Sequence, residues 1–289
     1  MNLRISLLIL LALAIFPALS FAADSERPDL AKHFEERGLV GTFVVQGPEG
    51  LVRVNAGRAA QGFRPASTFK IVNALVALEN GVVHDTGHVL RWDGVKREVP
   101  MWNSDLTMNE AFRASAVWYF VELGKMNGRE RLAGAMRESG YGNADASGSD
   151  QFWLDGPLRI SADGQVAFLS RLLAGKTPFS ARYRGLVARM MLLEQASAEN
   201  GPCEPWALFG KTGLALKGGG EGDGVAGSPA SRPVGWLVGW AERDGEQFPY
   251  ALNISPARPL AEGESPGPEF ARARLELVKL FLKELGLLP

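Results

Sequence analysis

"RPASTFKIVNALVALENG", residues 64–81, decides how the rest of the chain is read. Most of it is apolar, and Asn80-Gly81 closes it with a C-terminal cap signal, so the pattern predicts a buried helix. Pro65 suits the start of that helix. Ser67 and Lys70 stand three residues apart and share a face, so a hydroxyl and an amine meet in the first turn. A serine hydroxyl is a poor nucleophile until an adjacent base takes its proton. Bringing a lysine from its ordinary pKa near 10.4 down to about 7 costs about 4.6 kcal/mol. Burial among Phe69, Ile71 and Ala74 can impose a change of that size. The bland alternative is a helix-start pair whose lysine reaches out to water.

The flanking pattern sets this helix in a mixed fold. "LVGTFVVQ" (39–46) and "GLVRVNAG" (50–57) read as a hairpin turning at Gly47, Pro48 and Gly50. From about 105 to 195 the pattern is mostly helical: "TMNEAFRASAVWYFVELGKMNG", "GRERLAGAMRESG", "ADGQVAFLSRLLAG" and "ARYRGLVARMMLLEQAS". Thr107 with Glu110, and Ser161 just before Gln165, are N-terminal cap signals. Strand-like runs return at "WALFGKTG" (206–213), "PVGWLVGWAE" (233–242) and "FPYALNIS" (248–255), and the amphipathic "EFARARLELVKLFLKELG" closes the chain. Strands at both ends with helices between them predict an α+β-type α/β fold: a central antiparallel sheet flanked by helices, with an all-helical region (roughly 85–200) inserted. "KGGGEGDGVAGSPAS" (217–231) has the composition of a linker, but its place between two strands predicts a long hairpin loop.

The 289 residues carry a formal net charge of −1, which indicates neither nucleic acid nor a polyanion as partner. "MNLRISLLILLALAIFPALSFAAD" has one Arg, an apolar run broken by Pro17, and small residues at Ser20 and Ala22. It is the pattern of a secretory signal peptide (1–22) cut after Ala22, leaving residues 23–289 as a soluble periplasmic domain. A retained anchor is the rival reading, since the run approaches spanning length. Cys203 is the only cysteine, so no intramolecular disulfide is expected, and its neighbours Pro202 and Glu204 do nothing to activate it. His33, His84 and His88 have no metal-ligand spacing, and no metal site is expected.

Further fragments carry chemistry. Ser115-Ala116-Val117, inside a helical pattern, can bring a second hydroxyl to the cleft; Tyr141-Gly142-Asn143 is a turn that can present an amide; Lys211-Thr212-Gly213 ends a strand, where Gly213 permits close approach of a ligand. A nucleophile, a base, a shuttling hydroxyl and a strand-borne cation together suit acyl transfer to a substrate bearing a carboxylate. With "PASTFKI", "SAV", "YGNAD", "QFWLDGPLRIS", "FGKTG" and "VGWLVGW" in this order, the chain resembles the class D serine β-lactamases, the oxacillinase type, over essentially the whole segment after residue 22. S-x-x-K and K-T-G are shared with other penicillin-recognising enzymes. The Y-G-N element and the F-W-L segment point to class D.

The resemblance implies a β-lactam hydrolase acting through an acyl-enzyme on Ser67. It implies that Lys70 is N-carboxylated by CO2 or bicarbonate to N6-carboxylysine, which acts as the general base, with no other cofactor. A neutral amine is needed for that reaction, and the carbamate formed needs donors. By family position Trp153 supplies one, and Val117 and Leu154 cover the modified lysine and control water access. Ser115, helped by Lys211, relays the proton to the departing ring nitrogen, and the backbone N–H groups of Ser67 and Leu214 hold the oxyanion. Thr212, Lys211 and a C-terminal arginine bind the substrate carboxylate; Arg272 is the choice, with Arg258 and Arg274 close rivals. The Gly-rich loop departs from the family pattern, which leaves substrate breadth open. The sequence by itself does not decide between monomer and homodimer. A non-hydrolytic β-lactam sensor and a cell-wall transpeptidase are the alternatives.

Overall fold

The hairpin expected at 39–57 is the start of a seven-stranded sheet, seen in a computed structural model that describes residues 24–196, 205–216, 232–261 and 264–289. The expected signal peptide (1–22), Cys203 and the Gly-rich segment 217–231 lie outside the described residues. In chain order come β1 (Ser25–Glu26), α1 (Lys32–Glu35), β2 (Leu39–Gly47), β3 (Gly50–Val54), α2 (Ala56–Ala59) and α3 (Lys70–Glu79). A short pair, β4 (Val89–Leu90) and β5 (Leu106–Thr107), leads into α4 (Met108–Arg113), α5 (Val117–Asn127), α6 (Arg129–Ser139), α7 (Ala162–Leu173) and α8 (Ala181–Met191). The chain then returns to the sheet through β6 (Leu192–Ala196), β7 (Trp206–Ala215), β8 (Val234–Arg243) and β9 (Glu246–Pro256), and ends in α9 (Pro268–Glu284).

The strand order is β1-β3-β2-β9-β8-β7-β6, antiparallel throughout except for the two-residue parallel pairing of β1 with β3. Alternation along β8 explains why both faces are covered. Trp236, Val238 and Trp240 join a core shared with α3 and the helical region, whereas Leu237 and Ala241 join one shared with α1 and α9. The second core is completed by Phe34, Phe43, Leu277 and Phe281, with Phe43 stacked on Phe281 at 5.0 Å.

Several local expectations hold in detail. Thr107 and Glu110 form a reciprocal capping box at the start of α4, and the Ser161 side chain accepts from the Gly164 amide to cap α7. Two do not. The helix read across 107–128 is broken: α4 stops at Arg113, α5 begins at Val117, and Ser115 lies in the gap with φ 55°. No Gly or Pro in "FRASAVW" marks that break; long-range hydrogen bonds described below hold it. The run "MMLLEQAS" leaves its helix at Met191, and Leu192–Ala196 pairs with β7 as an edge strand. The hydrogen-bonding edge of β7 outweighs the helical propensity of that stretch.

Candidate active site

Ser67 sits in a tight 3-10 turn, Ala66–Phe69, that runs directly into α3. Side chains three apart eclipse in that geometry, which brings the two closer than an α-helix would. Ala66 takes φ 48°, and its amide donates to Trp153 O at 3.0 Å, so the segment around Trp153 fixes the turn from outside. Within it Thr68 Oγ1 donates to Pro65 O at 2.8 Å and accepts from Gln165 Nε2 at 2.9 Å.

Lys70 is 0% exposed. Its Nζ donates to Ser67 Oγ at 2.8 Å, to Ser115 O at 2.7 Å and to Ser115 Oγ at 3.1 Å. It also lies 5.5 Å from the centre of the Phe120 ring. Burial, then the nearby charge of Lys211, holds the Lys70 amine well below the usual lysine range. The reading in which Lys70 reaches out to water is therefore excluded. Lys211 Nζ meets Ser115 Oγ from the other side at 3.1 Å, so one hydroxyl bridges two amines. Burial, with a smaller effect from the charge of Arg274, lowers Lys211 to about 7.

The left-handed backbone at Ser115 turns both its carbonyl and its hydroxyl toward Lys70. This strained residue is held by what it touches, as strain at a functional site must be. Strand β7 supplies the opposite wall. Its pairing with β6 ends at Phe209, so Gly210–Ala215 has no strand on that edge among the described residues and packs against the Ser67 turn instead. Gly213 makes this approach possible, because a Cβ there would stand 2.9 Å from Pro65 O and 3.1 Å from Thr68 Cγ2. Thr212 and Leu214, on either side, are half-buried.

Trp153 is fully buried, stacks on Phe69 at 5.2 Å, and its indole N–H has no acceptor among the described residues. Val117 and Leu154 are both half-buried and line one groove of about 620 Å³ together with Trp102, Trp118 and Gln151.

Two expectations need correction. Arg272 is not brought to the site: it is exposed and lines a separate groove with Arg37, Arg258 and Glu264. Arg274 is the arginine that reaches β7, 9% exposed, donating from Nη1 to Gly213 O at 2.8 Å. The reason is helical phase. Phe270, Ala273, Arg274, Leu277, Val278 and Phe281 form the buried stripe of α9, and Arg272 stands about 200° round from Arg274. The Asn143 amide serves its own turn, accepting from Arg159 N and donating to Pro157 O. From Y-G-N it is the Tyr141 hydroxyl that comes within 3.4 Å of Thr68 Oγ1. His84 and His88 belong to no group of metal-ligating side chains among the described residues.

A hydroxyl held by a buried amine, a second hydroxyl shared between two amines, and a strand edge facing the nucleophile suit acyl transfer. Residues 31–276 match the model of the penicillin-binding protein transpeptidase domain. The probable β-lactamase YbxI of Bacillus subtilis (strain 168) is 38% identical over 201 residues, 69% of this chain and 68% of that protein. β-Lactamase OXA-48 of Klebsiella pneumoniae is 33% identical over 261 residues, 89% and 88% of the two chains. The crystal structure of the class D β-lactamase YbXI from Nostoc superposes with a TM-score of 0.76 at 35% identity, covering 90% of this chain and 99% of that one. The chain belongs to the class D serine β-lactamases. It is thus a serine hydrolase of that class, with the transpeptidase-like fold the sheet and helices display. Among its described residues no helix is long and apolar enough to cross a membrane.

Sequence reasoning missed two contacts around Ser67 and Lys70. Gln165, buried on α7, joins Thr68 to Tyr141, and nothing in its spacing from Ser67 signals this contact. Phe120 under the Lys70 amine sits three residues beyond Val117, where a helical repeat from the "SAV" element would have found it.

Proposed function

We propose that this class D β-lactamase hydrolyses the β-lactam amide bond of penicillin-type antibiotics through an acyl-enzyme on Ser67, with Lys70 N-carboxylated by CO2. The carrying observation is the Lys70–Ser67 contact at 2.8 Å with the amine wholly buried and its pKa driven down. A neutral amine is the form that reacts with CO2. The surroundings also fit the product: the buried Trp153 N–H lacks an acceptor among the described residues, and a carbamate oxygen is the kind of acceptor it needs. Ser67 Oγ and the Ser115 hydroxyl, which already bond the amine, would hold the modified Lys70 along with Trp153. When present, the carbamate supplies an anionic general base in a site otherwise lined by basic side chains.

The rest is done by the chain's own groups. Ser67 Oγ attacks the lactam carbonyl, whose developing oxyanion is received by the amides of Ser67 and Leu214 across the β7 edge. Ser115 Oγ, in contact with Lys211, passes a proton to the departing ring nitrogen. A Lys211 with pKa about 7 gives and takes that proton near neutrality. Thr212, Lys211 and Arg274 hold the substrate carboxylate, and Val117 with Leu154 limits water at Lys70. Residues 1–22 serve as a signal peptide directing residues 23–289 to the periplasm.

The test is hydrolysis of a chromogenic cephalosporin by residues 23–289, with and without bicarbonate, beside Lys70→Ala. The wild type should turn over continuously, faster with bicarbonate, and Lys70→Ala should fold and lose at least about 10³-fold in turnover. Sustained turnover by Lys70→Ala would end the carbamate reading. A single stoichiometric burst by the wild type in both buffers would point to a sensor or transpeptidase.

A further inference from the structure

On the sheet face that carries the Ser67 site, behind the segment leading into it, a second group of cations stands without a carboxylate among the described residues. Arg58, on α2, donates from Nε to Asn253 Oδ1 and from Nη2 to Ser255 Oγ, each at 2.8 Å. Both acceptors are neutral side chains of β9, 0% and 2% exposed. The guanidinium lies 4.7 Å from the centre of the Phe63 ring. Arg232, just ahead of β8, is close enough that its charge adds to burial in lowering Arg58 to about 10. Among the described residues no Asp or Glu bonds to either guanidinium.

Two buried donor atoms in this group have no acceptor: Asn253 Nδ2 and Arg232 Nε. Asn253 already gives its oxygen to Arg58, so exchanging its amide atoms would lose that bond and face a cation with an N–H. Buried polar groups are ordinarily hydrogen-bonded, and an unpaired charge away from water is more costly still. Two like charges beside two idle donors share one remedy. We propose that Arg58, Arg232, Asn253 and Ser255 form a site for a small inorganic anion, an oxyanion or a halide, distinct from the site at Ser67. The bound anion neutralises the arginine pair and accepts from Asn253 Nδ2 and Arg232 Nε. Arg58 lies over Phe63, Phe63 packs edge-on to Trp236, and Trp236 Nε1 donates to Arg64 O at 2.9 Å. An occupant therefore braces the stretch that delivers Ser67.

The experiment is thermal unfolding of residues 23–289 at constant ionic strength, exchanging sodium gluconate for sodium sulfate or sodium chloride. The wild type should gain roughly 2–5 °C more than Arg232→Gln in at least one of the two salts, the better salt telling oxyanion from halide. Arg274→Ala should keep that gain, which separates this site from the cations around Ser67. Ser255→Asp, placing a carboxylate where Arg58 Nη2 now donates, should raise Tm in gluconate and abolish the anion-dependent gain. Equal gains in wild type and Arg232→Gln in both salts, or loss of the gain in Arg274→Ala, would overturn the proposal. So would a Ser255→Asp variant that responds to the salts as the wild type does.

Discussion

Lys70 and Arg274 show how a single side chain's surroundings set its chemistry. Each is a long basic side chain taken almost wholly out of water, and neither has a carboxylate partner among the described residues. For Lys70 the consequence is an amine available as base or as acceptor of CO2. For Arg274, whose charge persists while burial lowers it to about 10, the consequence is a fixed positive charge beside Gly213. Arg274→Ala should reduce kcat/KM roughly 10- to 100-fold, mainly through KM, the worth of a charge-assisted hydrogen bond to a substrate carboxylate. Arg272→Ala should leave both constants unchanged. Steady-state kinetics on the two variants decides it, and equal losses would return the assignment to its starting point.

At the scale of elements, the site depends on how closely β7 approaches the 3-10 turn. Gly213 sets that distance, since any Cβ would press on a backbone oxygen that cannot move aside cheaply. Gly213→Ala should cost about 1–3 kcal/mol of stability by overpacking. It should cost up to about 100-fold in kcat, because displacing the turn misaligns Ser67. Chemical denaturation and kinetics on the variant measure both, and a full-rate, full-stability variant would contradict this account. Gly235 plays the same part for α9: a Cβ there would lie 2.6 Å from the Phe270 ring and 3.3 Å from Arg274 Cδ. Its absence lets the helix come near enough for Arg274 to reach Gly213. The capping box at Thr107 acts locally, and Thr107→Ala should lower stability by about 1 kcal/mol without touching the site.

Taken whole, the molecule buries basic side chains in its centre, and this gives its stability a direction with pH. Lys211 titrates near 7 in the folded chain against an ordinary 10.5, and Lys70 is lowered as well. Between those values the unfolded chain binds more protons, so stability rises as pH increases from about 7 toward 10.5. Three buried tyrosines, Tyr119, Tyr141 and Tyr250, are pushed up, which opposes the trend once unfolded tyrosine ionises near 10. Urea midpoints in CO2-depleted buffer should therefore rise from pH 7 to pH 9, and Lys211→Met should flatten the rise. A flat wild-type profile with an unchanged variant would show that the buried amines are solvated.

Much of this was legible in the order of residues. Ser67 with Lys70, the strand ending in Lys211-Thr212-Gly213, the hairpin at 39–57 and the returning strands all follow from patterns of two to eighteen neighbours, where local spacing dictates local geometry. The family resemblance resided in those same short motifs. Only the tertiary structure decided the rest. Ser115 leaves the helix because Lys70 and Lys211 hold it from distant elements. Leu192–Ala196 becomes a strand because β7 offers an open edge. Arg274, not Arg272, enters the site because the buried stripe of α9 is set by which face meets the sheet. Arg58 and Arg232, 174 positions apart, come within electrostatic reach of each other only when β8 and β9 pair. Such contacts depend on which surfaces remain open after the sheet closes, a property of the assembled layers that no run of adjacent residues contains.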